Sequence, residues 1–61
     1  MIALNETYSL NQIKQEGLKE REIKELTAKV FEKEDKVYFF DPVNGKKYRL
    51  YSVINKQSFF L

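Results

Sequence analysis

Apolar positions along this 61-residue chain fall into two runs at helical spacing followed by two that alternate. The first run is short. Ser9 can cap its start, Gln12 completes an S-x-x-Q capping box, and Leu10 and Ile13, with Gln12 beside them, turn inward. Gly17 supplies the left-handed residue that ends the helix and lets the chain reverse within about three residues. The second run places Ile23, Leu26, Thr27 and Val30 on one stripe, which predicts a helix from about Lys19 to about Phe31. Arg21, Glu25, Ala28 and Glu32 lie opposite, and Glu20–Lys24 and Glu25–Lys29 are i,i+4 pairs in the favourable order. Leu18 and Lys19 offer this helix no capping side chain.

Glu32 to Asp35 interrupts the pattern as a charged loop. Lys36–Asp41 and Lys47–Tyr51 are then rich in strand formers. Between them, Pro42-Val43-Asn44-Gly45 predicts a turn, with Pro42 fixing φ for type I and Gly45 free to be left-handed. Pairing Phe40 with Lys47 or with Arg49 gives two registers of the same parity. Both put Val37, Phe39, Tyr48 and Leu50 toward the helices. Both leave Tyr38, Phe40, Lys47, Arg49 and Tyr51 as an aromatic face interleaved with cations, unless Met1–Leu4 covers it as a second core layer. Ser52–Leu61 reads as a short helix capped by Ser52 or as a third strand through Val53 and Ile54. Phe59, Phe60 and Leu61 would close the core or meet a partner. The expected fold class is α+β: two N-terminal helices in a helix-turn-helix followed by an antiparallel hairpin, in one domain over residues 1–61.

Composition narrows the chemistry. A domain this small buries only roughly 60% of its unfolded surface, so marginal stability or self-association is expected. With no Cys and no His, there are no disulfides and no usual zinc ligands, and a cytoplasmic location fits. No apolar run approaches a membrane span and no signal peptide is visible. The chain carries no nucleophile elbow, phosphate-cradling glycine loop or metal cluster, and its acids sit in Glu/Lys-rich sequence. Asp41, just before Pro42, reads as a turn-stabilising side chain. A non-enzymatic protein without cofactor or small-molecule substrate is expected. Net charge is +2, but unevenly placed: residues 1–35 sum to −2 and residues 36–61 to +4. That basic half suggests a polyanion-facing surface, or Lys and Arg protecting sheet edges.

Ile13, Gly17, Leu18, Ile23 and Leu26 have the spacing of a helix-turn-helix, with Lys19, Arg21 and Lys24 as groove-facing candidates. Lys46, Lys47 and Arg49 could reach phosphates, and Tyr38, Phe40 and Tyr51 could stack single-stranded bases. Helix, Gly17-Leu18, helix, hairpin and Tyr48-Arg49-Leu50-Tyr51 leading into Ser52-Val53-Ile54 resembles the compact winged-helix family of phage excisionases and mercury-resistance-type regulators. It is also similar to the related module of the xeroderma pigmentosum group A repair protein. The resemblance spans about Tyr8 to Lys56 and implies base contacts from residues 19–24 and backbone contacts from Lys46, Lys47 and Arg49. It implies a small accessory protein in transcription regulation or a mobile element, bound to duplex DNA. The other reading is a protein–protein module, an inhibitor or adaptor, that uses the aromatic hairpin face and the Phe59-Phe60-Leu61 tail.

Overall fold

Ser9 opens the first helix as its side chain requires: its hydroxyl accepts from the Gln12 N–H at 3.2 Å while its own N–H donates to Gln12 Oε1 at 2.8 Å. In the computed structural model, which describes residues 2–22 and 28–59 (backbone only at Phe59), this helix is α1, Leu10–Gln15. Gly17 ends it at φ +87°, its N–H donating to the Lys14 carbonyl at 3.0 Å. Ile13 and Leu18, on either side of that stop, are both buried.

Beyond Leu18 the expected helix does not form. The chain instead builds β1 (Thr7–Ser9), β2 (Lys19–Arg21), β3 (Lys29–Lys33), β4 (Lys36–Asn44) and β5 (Lys47–Asn55), with a one-turn helix α2 (Lys56–Phe59). The strands form one antiparallel sheet in the order β1-β5-β4-β3-β2, curled into a half-barrel. The class is therefore mostly β, with no helix-turn-helix and no winged helix among the described residues. Cross-strand chemistry explains the outcome. Glu20 pairs with Lys29 and Arg21 with Glu32, each at 2.9 Å, in place of i,i+4 pairs along a helix. Val30 and Phe31, adjacent in β3, are both buried, on opposite faces of the sheet. Packing of this kind overrides a helical stripe whose propensity is a weak prior. Ile23, Lys24, Glu25, Leu26 and Thr27, which carried much of that stripe, lie outside the described residues.

The hairpin is present, but longer and in another register. Its turn is Gly45–Lys46, with Gly45 at φ +29° and Asn44 opposite Lys47. Pro42 is not a turn residue. It lies in β4 past the last β3 pair, Lys29↔Phe40, where no described strand claims an N–H from it. Phe40 pairs with Leu50, an odd step away from both expected registers, so the faces exchange. Phe40 and Tyr38 belong to the core face, and Phe39 to the other. The shift arises between Pro42/Asn44, where Val43 is the extra residue of β4; a second bulge between Phe39/Phe40, with Tyr51 the extra residue of β5, restores the step for the pairs beyond. Glu32 and Lys33 are strand, and only Glu34–Asp35 turns, with Glu34 at φ +55°. Val53 and Ile54 extend β5 rather than forming a third strand, and the helix after them begins at Lys56, not Ser52. The tail residues Phe60 and Leu61 and the Phe59 side chain lie outside the described set.

The concave face holds the main core cluster, and Val30 and Val37 are buried on the opposite face. Ile13 and Leu18 pack on Phe31, Phe40 and Leu50, flanked by Ile2, Tyr8, Leu10, Tyr38 and Tyr48. Phe31 and Phe40 meet edge to face, centroids 5.4 Å apart. Ile2 reaches this cluster because the Tyr8 hydroxyl accepts from the Ala3 N–H at 2.7 Å. Lys33 crosses the same face, its Nζ donating to the Glu16 carbonyl at 2.6 Å and so capping the end of α1.

Candidate nucleic-acid interface

Register decides which side chains share the convex face. Lys19 lies opposite Glu32 and Arg21 opposite Val30. Val30 in turn faces Phe39, which is followed two residues on by Asp41 opposite Arg49. Arg49 pairs with Thr7 and Lys47 with Ser9 in β1. Lys19, Arg21, Phe39, Lys47 and Arg49 therefore project from one side of the sheet. At the bulge Tyr51 joins Phe39 there, the ring centroids 6.2 Å apart and tilted by 51°. Tyr51 is 40% exposed.

Charge on this face divides into two groups. At the hairpin, Arg49 Nη2 is 3.8 Å from Asp41 Oδ2, a loose pair with both side chains about half exposed. Lys47 is beside it, and Lys46 is exposed in the turn. On the other flank Glu32 accepts from Arg21 Nη1 and Lys56 Nζ, each at 2.9 Å. These hydrogen bonds, Lys56 first and then Arg21, hold the Glu32 carboxyl below the ordinary glutamate pKa. Among the described residues, the cations Lys19, Arg21, Lys47, Arg49 and Lys56 share this side with the acids Glu32 and Asp41. Strands about 4.8 Å apart set β2 and β5 roughly 14 Å from one another, with Phe39 between.

The structure thus brings together Lys19, Arg21, Lys47 and Arg49, expected on two different elements, and sets Lys46 at the turn beside them. Lys24 lies outside the described residues. Of the aromatic face, Tyr51 is in place. Phe40 is fully buried and so closed to a ligand, and Tyr38 is partly buried against the core on the concave face. Phe39 takes the place of Phe40. Its signal was parity: the extra residue Val43 in β4 exchanges the faces of Phe39 and Phe40 relative to Arg49.

Two shallow hollows sit elsewhere. One of about 250 Å³ is lined by Ile2, Tyr8, Gln12, Gln15 and Glu16, the other of about 270 Å³ by Ser9, Leu10, Asn11, Gly45, Lys46 and Tyr48. Both fall below the usual range for small-molecule sites. Among the described residues no group of acids is arranged to hold a metal ion, and no helix is long and apolar enough to cross a membrane. Comparison with protein-family models, curated proteins and solved structures finds no match for the chain.

Proposed function

We propose that the chain is a small non-enzymatic nucleic-acid-binding module that receives a single strand on the convex face of its sheet. One observation carries this reading: the Phe39–Tyr51 ring pair lies on the same face as Lys47 and Arg49, with Arg21 and Lys19 across the sheet. An exposed ring accepts an unstacked base whatever its identity, and cations on either side follow the phosphates. A base can lie on Tyr51 only when freed from its own stack, which favours single strands over duplex. Groove docking by residues 19–31 is not part of the proposal, since 19–21 and 29–31 are strand. A cytoplasmic setting is part of it, in keeping with a chain that uses no Cys.

The test is an NMR titration with a short single-stranded oligonucleotide at low and moderate salt. Amide shifts should centre on residues 39 and 47–51 and diminish as salt rises. Absence of shifts there at low salt would sink the reading.

A further inference from the structure

Among the described residues, the outer side of β5 is left open beyond Leu50. The N-terminal segment accompanies it only that far: Asn5 N–H donates to the Leu50 carbonyl at 2.7 Å and Leu50 N–H to the Glu6 carbonyl at 3.1 Å. Asn5 and Glu6 there oppose one residue, a bulge whose first member, Asn5, sits at φ +71°. The chain then turns away, Glu6 N–H donating to the Ala3 carbonyl at 3.3 Å, and lays Ile2 on the core. No described strand pairs with the outer side of Tyr51–Asn55.

The ladder fixes which backbone groups face outward. Lys56 N–H donates to the Asp35 carbonyl at 2.7 Å, which makes that facing pair a bonded one. Bonded and non-bonded pairs alternate along an antiparallel ladder. From the Lys36↔Asn55 register, Ile54 and Ser52 therefore aim N–H and C=O at β4, while Val53 and Asn55 aim theirs away from the sheet.

We propose that this edge pairs with the same edge of a second copy, antiparallel and centred on Ile54. In that register the N–H and C=O of Val53 meet the C=O and N–H of Asn55 of the second copy. The two-fold axis repeats the exchange, so each copy satisfies the other's outward groups. The match is reciprocal, as an isologous contact must be. It is also uncharged: Tyr51-Ser52-Val53-Ile54-Asn55 contains neither Pro nor an ionisable cation or acid that would meet its own image. Other open edges are guarded. β2 is Lys19-Glu20-Arg21, the free part of β4 carries Asp41 and Pro42, and β1 is three residues long. Val53, 39% exposed, and Leu4, 54% exposed at the N-terminal turn, are apolar surface near this edge. So short an edge buries far less than the roughly 1,200 Å² of a stable interface, so association is weak and concentration-dependent.

Sedimentation equilibrium from micromolar to millimolar protein tests the proposal, together with amide exchange at both ends of that range. The mass should rise toward the dimer, and the Val53 and Asn55 amides should become protected only when concentrated, while Ile54 is protected throughout. Val53→Pro, which removes an outward donor and no ladder bond, and Val53→Lys, which sets like charges across the axis, should both stay monomeric with native spectra. A monomeric mass at every concentration would overturn the proposal, as would association that survives in a folded Val53→Lys variant. The outcome is independent of whether the convex face binds nucleic acid.

Discussion

Glu32 accepts from cations on two different elements, Arg21 of β2 and Lys56 of α2, and so fastens both to β3. Its pKa is lowered on folding, so this contribution is complete above the unfolded glutamate pKa and is lost as pH falls through the folded value. Glu32→Gln should accordingly flatten the acid limb of stability against pH, measured by denaturant unfolding at a series of pH values, and leave the neutral-to-alkaline side unchanged in shape. Lys29 has the opposite sense. Its hydrogen bond to Glu20 raises its pKa, so that pair's contribution is lost as pH rises through the folded lysine value. At Gly17 the space beside the missing Cβ is ordinary, with Lys33 Cε 3.6 Å away, so the cost of a side chain lies in the left-handed backbone. Gly17→Ala should lower unfolding stability by about 1 kcal/mol.

At the level of elements, what was legible in the sequence tracks how local the signal is. The capping box of Ser9 and Gln12, the stop at Gly17 and the existence of a hairpin around Gly45 all depend on neighbours within a few residues. The path of residues 19–33 does not, because Glu20 and Arg21 choose between helix and sheet according to partners at Lys29 and Glu32. Charges at i,i+4 and charges across a hairpin can be drawn from the same residues. The hairpin faces failed for a different reason. Alternation gives parity only relative to a register, and a single extra residue in β4, Val43, reverses it. Two substitutions separate the registers directly. Phe40→Ala should cost about 3–5 kcal/mol and unfold so small a domain, because Phe40 is fully buried against Phe31 and Leu50. Tyr51→Ala should leave the circular dichroism spectrum and midpoint nearly unchanged, yet weaken oligonucleotide binding roughly 5- to 150-fold if one base stacks there.

For the whole molecule, the radius of gyration of 10.8 Å is close to the roughly 10.5 Å expected of a compact chain of this length, although the sheet curls only halfway to a barrel. Helix α1 fills the mouth of that curl, and the cations lie on the other side, around the buried Val30 and Val37. Ionic contacts spread over that side should add through counterion release. With three or four phosphates engaged, log K should fall with log salt at a slope of about −2 to −3, and Arg49→Glu should make the slope shallower. Paired edge to edge, two copies would present their convex sides in the same direction, since the two-fold axis stands perpendicular to the sheet. Binding of an oligonucleotide long enough to cross both should then steepen with protein concentration.

Tyr51 occupies a position that the ladder does not count. Phe39 is already met by Ser52 and Phe40 by Leu50, so deleting Tyr51 would join two correctly phased halves of β5 instead of inverting one of them. The usual effect of a one-residue deletion in a strand, every later side chain sent to the wrong face, is thereby avoided at this position. Curvature would relax where the bulge now bends the strand. The residue best placed to touch a ligand is therefore also the one whose loss the sheet can absorb, and variation in length as well as identity is open to it.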